Sequence, residues 1–169
     1  MKRILMSVLL LGLMFTLPVT TRAAGLDSST EISCGLGIPY GVAGGNFELK
    51  LQDKYGLCAG LGVSKAGAAW SVGGRFYFDG EIPKIQQYVG LYYGTVTIRE
   101  TQFFNASSTY DNIKGSAAGY GIDYQYSQNI TLNGEFVYIV SQNDSGEPDS
   151  RYKISIGIRT SPKNLLKFK

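Results

Sequence analysis

Apolar and polar residues alternate with period two through most of this chain, and no segment after the N-terminal leader carries the 3.6-residue spacing of a helix. The clearest stretch is 130–141, with Ile130, Leu132, Phe136, Tyr138 and Val140 on one parity and Thr131, Asn133, Glu135 and Ser141 on the other. Its predecessor, 115–127, sets Ala118, Tyr120, Ile122, Tyr124 and Tyr126 against Gly119, Gly121, Asp123 and Gln125. The short link Ser127-Gln128-Asn129 makes the two a hairpin. In 151–160, Tyr152, Ile154, Ile156 and Ile158 oppose Arg151, Lys153, Ser155, Gly157 and Arg159.

The same pattern runs upstream. Trp70, Val72, Phe76 and Phe78 oppose Ser71, Gly73, Arg75 and Tyr77, and Tyr55, Leu57, Ala59, Leu61 and Val63 oppose Gly56, Cys58, Gly60 and Gly62. Phe47, Leu49 and Leu51 alternate with Asn46, Glu48 and Lys50, and the strand before them ends at Pro39-Tyr40-Gly41, a tight turn. The segment 86–99 is strand-like, but Tyr88, Tyr92 and Tyr93 fall on both parities and leave its faces open.

The pattern predicts eight strands, at 31–38, 42–51, 55–64, 69–79, 86–99, 115–127, 130–141 and 151–160. An even number suits a closed, antiparallel up-and-down barrel with both termini at one end. Connection lengths alternate to match: Gln52–Lys54 and Ser127–Asn129 are short, while Thr101–Lys114 and Gln142–Ser150 are long and polar. Asp79–Ile85 is a middling loop on the short-turn side. The 101–114 excursion, with Phe103, Phe104 and Tyr110, is the expected external loop and the surface available to a partner.

Alternation alone fits a soluble barrel or one embedded in lipid, so the composition of each face decides. On the five best strands no outward-parity residue is charged, as lipid contact requires. The other parity mixes Gly35, Gly37, Gly56, Gly60, Gly62, Gly119 and Gly121 with Glu48, Lys50, Arg75, Asp123, Glu135, Lys153 and Arg159. Small residues beside mutually compensating charges suit a narrow lumen better than a solvated surface. Tyr55, Trp70, Phe78, Tyr126 and Tyr152 sit at strand ends on the apolar parity, where interfacial aromatics belong. The alternative is a soluble, exported, lipocalin-like barrel whose apolar face turns inward around an apolar ligand.

Composition adjusts this picture at a few points. The 169 residues suffice for one domain, and only 17% are charged against about 25% in soluble domains. Lys2 and Arg3 precede an apolar run from Ile4 to Leu17, then Pro18 and Thr21-Arg22-Ala23, which reads as a signal peptide over 1–23. The barrel domain is then 24–161 and the C-terminal tail 162–169. Without Lys2, Arg3 and Arg22, the 16 basic residues fall to the number of acidic ones, 13, so no nucleic-acid partner is implied.

There is no His, which removes the commonest general base and metal ligand. Glu48, Arg75, Asp123, Glu135, Lys153 and Arg159 are read as structural ion pairs, and the chain as no enzyme, with no catalytic residue, cofactor or metal site. Asp144–Asp149 lacks the calcium-loop spacing. Cys34 and Cys58 fall on opposite parities of strands separated by a third, so they are expected to be free thiols unless Gly44-Gly45 forms a bulge that changes the register.

The runs 37–51, 55–63 and 70–78 resemble the small outer-membrane β-barrel proteins of Gram-negative bacteria, the OmpA-like and opacity-type group. The resemblance spans nearly the whole mature chain as a style of sequence, without a signature motif. It implies an integral outer-membrane barrel, structural or adhesive, with outer-membrane lipids and the outer-membrane assembly machinery as partners. One departure is that such barrels tend to end in an aromatic residue, whereas here Phe168 is penultimate.

Overall fold

The computed structural model describes residues 28–78, 82–101, 108–143 and 150–160. Among them, eight antiparallel strands form one closed barrel in sequence order: β1 (Ser28–Gly37), β2 (Val42–Leu51), β3 (Tyr55–Ser64), β4 (Gly67–Tyr77), β5 (Ile85–Thr101), β6 (Thr109–Gln125), β7 (Thr131–Gln142) and β8 (Tyr152–Thr160). The cylinder closes where β1 meets β8, along a short seam from Ile32↔Thr160 to Leu36↔Ile156. By contrast, β1 pairs with β2 along its whole length, from Ser28↔Leu51 to Gly37↔Val42. The expected leader, cleavage site and tail, Phe103, Phe104, Phe168 and the 144–149 segment all lie outside the described residues.

The predicted faces hold. Ile154 is 74% and Leu91 68% exposed, whereas Arg75 is 3% and Glu48 1% exposed. The apolar parity therefore points outward and the polar parity inward, the reverse of what the lipocalin-like alternative needs. The faces left open on β5 are now assigned: Tyr88, Gly90 and Tyr92 point inward, while Val89, Leu91 and Tyr93 point outward. Tyrosines occur on both parities because both walls use them. A bulge between Thr95 and Thr97 then admits Val96 as an extra residue, which breaks the alternation there.

One expectation needs correction. Residues 101–114 are not one long loop: beyond the bulge β5 and β6 stay paired from Thr97↔Ile113 to Thr101↔Thr109, so β6 begins six residues before the predicted 115. The alternation Tyr110, Asn112, Lys114 against Asp111, Ile113 supports that extension. The tight turn expected after the first strand is present, at Ile38-Pro39-Tyr40. It is a 3₁₀ turn whose three residues are all buried, with Tyr40 fully enclosed. Gly41 exits it in the left-handed conformation (φ 59°) and returns the chain to β2.

At the end where β1 begins and β8 ends, Gln52 (φ 52°), Asp53 (φ 53°) and Lys54 link β2 to β3, with the Lys54 amide donating to the Leu51 carbonyl at 3.1 Å. The β4–β5 and β6–β7 connections share this end. The 3₁₀ turn, the β3–β4 turn and the β5–β6 and β7–β8 connections occupy the other.

Candidate functional site: the filled lumen and the outer wall

Inward side chains from all eight strands and the 3₁₀ turn fill the lumen. Arg75 on β4 is the centre. Its Nη1 donates to Glu48 Oε2 at 2.6 Å and its Nε to the Tyr92 hydroxyl at 2.8 Å, and its Nη2 lies 3.7 Å from Glu135 Oε2. Arg159 on β8 is the second hub. Its Nη1 donates to Asp123 Oδ2 (2.6 Å), Glu31 Oε2 (3.1 Å) and the Tyr77 hydroxyl (3.0 Å), and its Nη2 lies 3.4 Å from Glu48 Oε2.

Tyrosine hydroxyls link these ions in a consistent direction. Tyr77 accepts from Arg159 and donates to Glu48, at 3.0 and 2.5 Å. Tyr92 accepts from Arg75 and donates to Glu135, at 2.8 and 3.0 Å. Tyr88 accepts from the Asn133 amide and donates to Glu135, at 2.6 and 3.0 Å. A phenol can accept and donate at once, so each ring passes polarisation from a cation or amide to a carboxylate, and such chains strengthen their members.

Six residues of the predicted inward ionic set, Glu48, Lys50, Arg75, Asp123, Glu135 and Arg159, come together. Lys153 points the same way but forms no ion pair among the described residues. Glu31 was missed: it stands between Thr30 and Ile32 near the start of β1, and accepts from Arg159 while lying 3.9 Å from Lys50. Its inward parity was readable from Ser33 and Gly35. The buried tyrosines were also missed as a group.

The 3₁₀ turn enters from the end opposite the termini. The Pro39 carbonyl accepts from Asn46 Nδ2 (2.7 Å) and Ser71 Oγ (3.0 Å), and the Tyr40 hydroxyl donates to Asn133 Oδ1 (3.0 Å). Gly35 and Gly157, register partners on β1 and β8, make the slot for the Tyr40 ring; a Cβ on either would run into it. Ile38 joins Tyr92, Val96, Ala117, Val137 and Ile139 in an apolar plug. At the terminus-bearing end the lumen instead opens into a cavity of about 400 Å³, lined by Glu31, Lys50, Gln86, Asp123, Arg159 and the 82–85 loop.

Outside, two groups of aromatic rings bound an aliphatic band. Near the termini, Phe76 lies 5.5 Å from Tyr55 and 5.4 Å from Phe78, centroid to centroid. At the far end Trp70 lies 6.0 Å from Tyr93, and Tyr152 lies 5.4 Å from Phe136 and 5.3 Å from Tyr138. Leu57, Leu61, Val72, Leu91, Ile122 and Ile156 are exposed between them. Cys34 faces outward and Cys58 inward, both free. Through β2 the register sets Cys34 level with Leu61 and Cys58 level with Glu31, as their opposite parities require.

No protein-family model matches the chain, and no curated protein matches its sequence. Among solved structures, the chain is similar to the N-terminal β-barrel domain of OprF from Pseudomonas aeruginosa, with a TM-score of 0.55 and 16% identity. The match covers 80% of this chain and 98% of that one. At that identity the likeness is one of fold: a closed eight-stranded, up-and-down antiparallel barrel.

Proposed function

We propose that this chain is an integral outer-membrane β-barrel protein of a bacterial envelope, a structural and surface-presenting element and not an open pore. The observation that carries the reading is its inverted solvation: aliphatic side chains are exposed around the cylinder while its ion pairs are buried inside. Monomeric soluble proteins rarely expose contiguous apolar patches larger than a few hundred Å². Membrane lipids are the partner that such a surface fits, and the flanking aromatic rings suit the two interfaces. The similarity to the OprF barrel domain supports the closed eight-stranded fold on which this reading rests.

Closure of the lumen rests on packing. The 3₁₀ turn with Tyr40, three further tyrosines and two arginine hubs fill it, and an eight-stranded barrel leaves room for little more. With the Ser28 and Thr160 ends of the barrel on the inner side, the β5–β6 and β7–β8 connections face outward, and the β5–β6 hairpin beyond the bulge is the surface offered to a partner. The assembly machinery of the outer membrane inserts such a chain.

Fractionation tests this reading. The protein is expected to stay in the membrane pellet through alkaline carbonate and high-salt washes, to need detergent for release, and to shift in gel mobility between unheated and boiled samples. Release by carbonate without detergent would refute membrane integration. Unitary currents from purified wild-type protein in planar bilayers would refute the closed lumen.

A further inference from the structure

We infer that the outer rim over β3–β6 is a binding site for a phosphate-bearing glycolipid of the outer leaflet, with Lys65 and Lys114 holding the phosphates. The inference rests on the outer-membrane reading and deepens it.

Four observations converge on this sector. Lys114 Nζ lies 5.7 Å from the centroid of the Trp70 ring and Lys65 Nζ lies 5.5 Å from that of Tyr110. Neither ammonium has a carboxylate within ion-pair distance among the described residues, whereas Lys50, Arg75 and Arg159 all do. The two lysines are fixed in one sector. The Ser64 hydroxyl donates to Asn112 Oδ1 at 2.7 Å, and Asn112 Nδ2 donates to the Ala68 carbonyl at 2.8 Å, tying β6 to the β3–β4 turn. Directly below, Trp70 pairs in register with Leu61, and Tyr93 with Val72, so the cations stand at the top of an apolar wall.

Each feature has a physical consequence. A ring face draws an ammonium toward the wall and keeps it from trailing into solvent, yet leaves its three N–H donors largely unspent. An unpaired cation at the edge of an aliphatic band meets one kind of ligand with both halves complementary: an anionic headgroup whose acyl chains lie along the band below. A free phosphate would gain nothing from Leu61 and Val72. A soluble protein partner would have to cover the same membrane-facing wall. The Asn143 amide, which donates to the Tyr93 hydroxyl at 3.0 Å, holds the second ring of the platform in place.

The test is native mass spectrometry of the detergent-solubilised full-length barrel titrated with bis-phosphorylated lipid A and, separately, with the same lipid after removal of both phosphates. Wild-type protein should retain the phosphorylated form preferentially. K65Q should weaken that retention about fivefold and K65Q/K114Q about 30-fold, at roughly one lipid-surface charge contribution per lysine. K84Q, at the opposite end, should leave it unchanged. Equal retention of both lipids by wild type, or unchanged retention by K65Q/K114Q, would overturn the inference while leaving membrane integration intact. A barrel that fails the carbonate and heat-shift tests would take both readings down together. All variants should keep the heat-dependent gel shift, which separates loss of binding from loss of folding.

Discussion

The hydroxyl of Tyr40 donates to Asn133 Oδ1 at 3.0 Å, joining the β1–β2 connection to a strand 93 residues further along the chain. Both partners are buried inside the barrel, and the ring behind the bond rests on Gly35 and Gly157. Tyr40→Phe should cost about 1–3 kcal/mol, because Asn133 then loses a donor in a buried site. Tyr40→Ala should cost about 3–5 kcal/mol, as expected for deleting a buried aromatic ring. Gly157→Val should destabilise by closing the slot, and Tyr40→Ala should relieve part of that cost in the double variant. Urea unfolding in lipid vesicles, followed by the gel-mobility shift, measures all four.

Arg75 and Glu48 form a fully buried pair, and removing one member strands the other. Arg75→Met and Glu48→Gln should each destabilise by about 3–5 kcal/mol. The double variant should cost less than their sum, because Glu48 and Arg75 no longer strand each other, and the cost that remains includes Glu135, which loses the guanidinium 3.7 Å away. Additive losses in a double-mutant cycle would show that the Tyr92 and Tyr77 hydrogen bonds outweigh the ion pair.

Leu91 separates a membrane barrel from a soluble one. It projects from the middle of β5 between Gly74 and Ala118. Leu91→Arg should cost roughly 2–4 kcal/mol in a bilayer, whereas an exposed leucine on a water-facing surface would tolerate the change within about 0.5 kcal/mol.

The two thiols should differ in reach. A lipid-soluble maleimide should label Cys34 in intact vesicles and leave Cys58 unlabelled. After denaturation without reductant both should react, and mass spectrometry should show two added groups. A disulfide would require a register other than the one that sets Cys34 level with Leu61.

Tyr110, on the part of the hairpin that stands above the barrel, donates to Glu100 Oε1 at 3.1 Å. That bond to the carboxylate holds its phenol above its ordinary value of 10.0. The sign follows: the bond's contribution is fully present below the unfolded phenol's pKa and is lost as pH rises through the higher folded value. Ultraviolet titration of wild type against Glu100→Gln should show one tyrosine moving to lower pH in the variant.

Much of this was legible because a strand's side chains alternate strictly and the outer set carries no charge on the clearest strands. That rule alone placed Glu48, Arg75, Asp123, Glu135 and Arg159 inside. Other features depend on contacts far apart in sequence. Ile38-Pro39-Tyr40 beside Gly41 has the composition of a surface turn, and only the slot between Gly35 and Gly157 makes its burial possible. Val96 leaves no periodic trace of its own and simply blurs the parity of β5. The strands beyond it read as loop because Asn112 and Lys114 are polar on the outward side, which is what a hairpin above the bilayer needs. Glu31 went unassigned although Ser33 and Gly35 share its parity, because the predicted strand began at that residue.

The β1–β8 seam carries a further consequence. It runs only from Ile32 to Leu36, and the Arg159–Glu31 bond that spans it joins residues 128 apart. A chain that stops short of Tyr152 is therefore not a smaller cylinder but a curled ribbon with two raw margins, each ready to zip onto any other strand. Ribosomal synthesis has to pass Thr160 before the wall can exist at all, so until β8 arrives the growing polypeptide must be shielded by something other than its own fold.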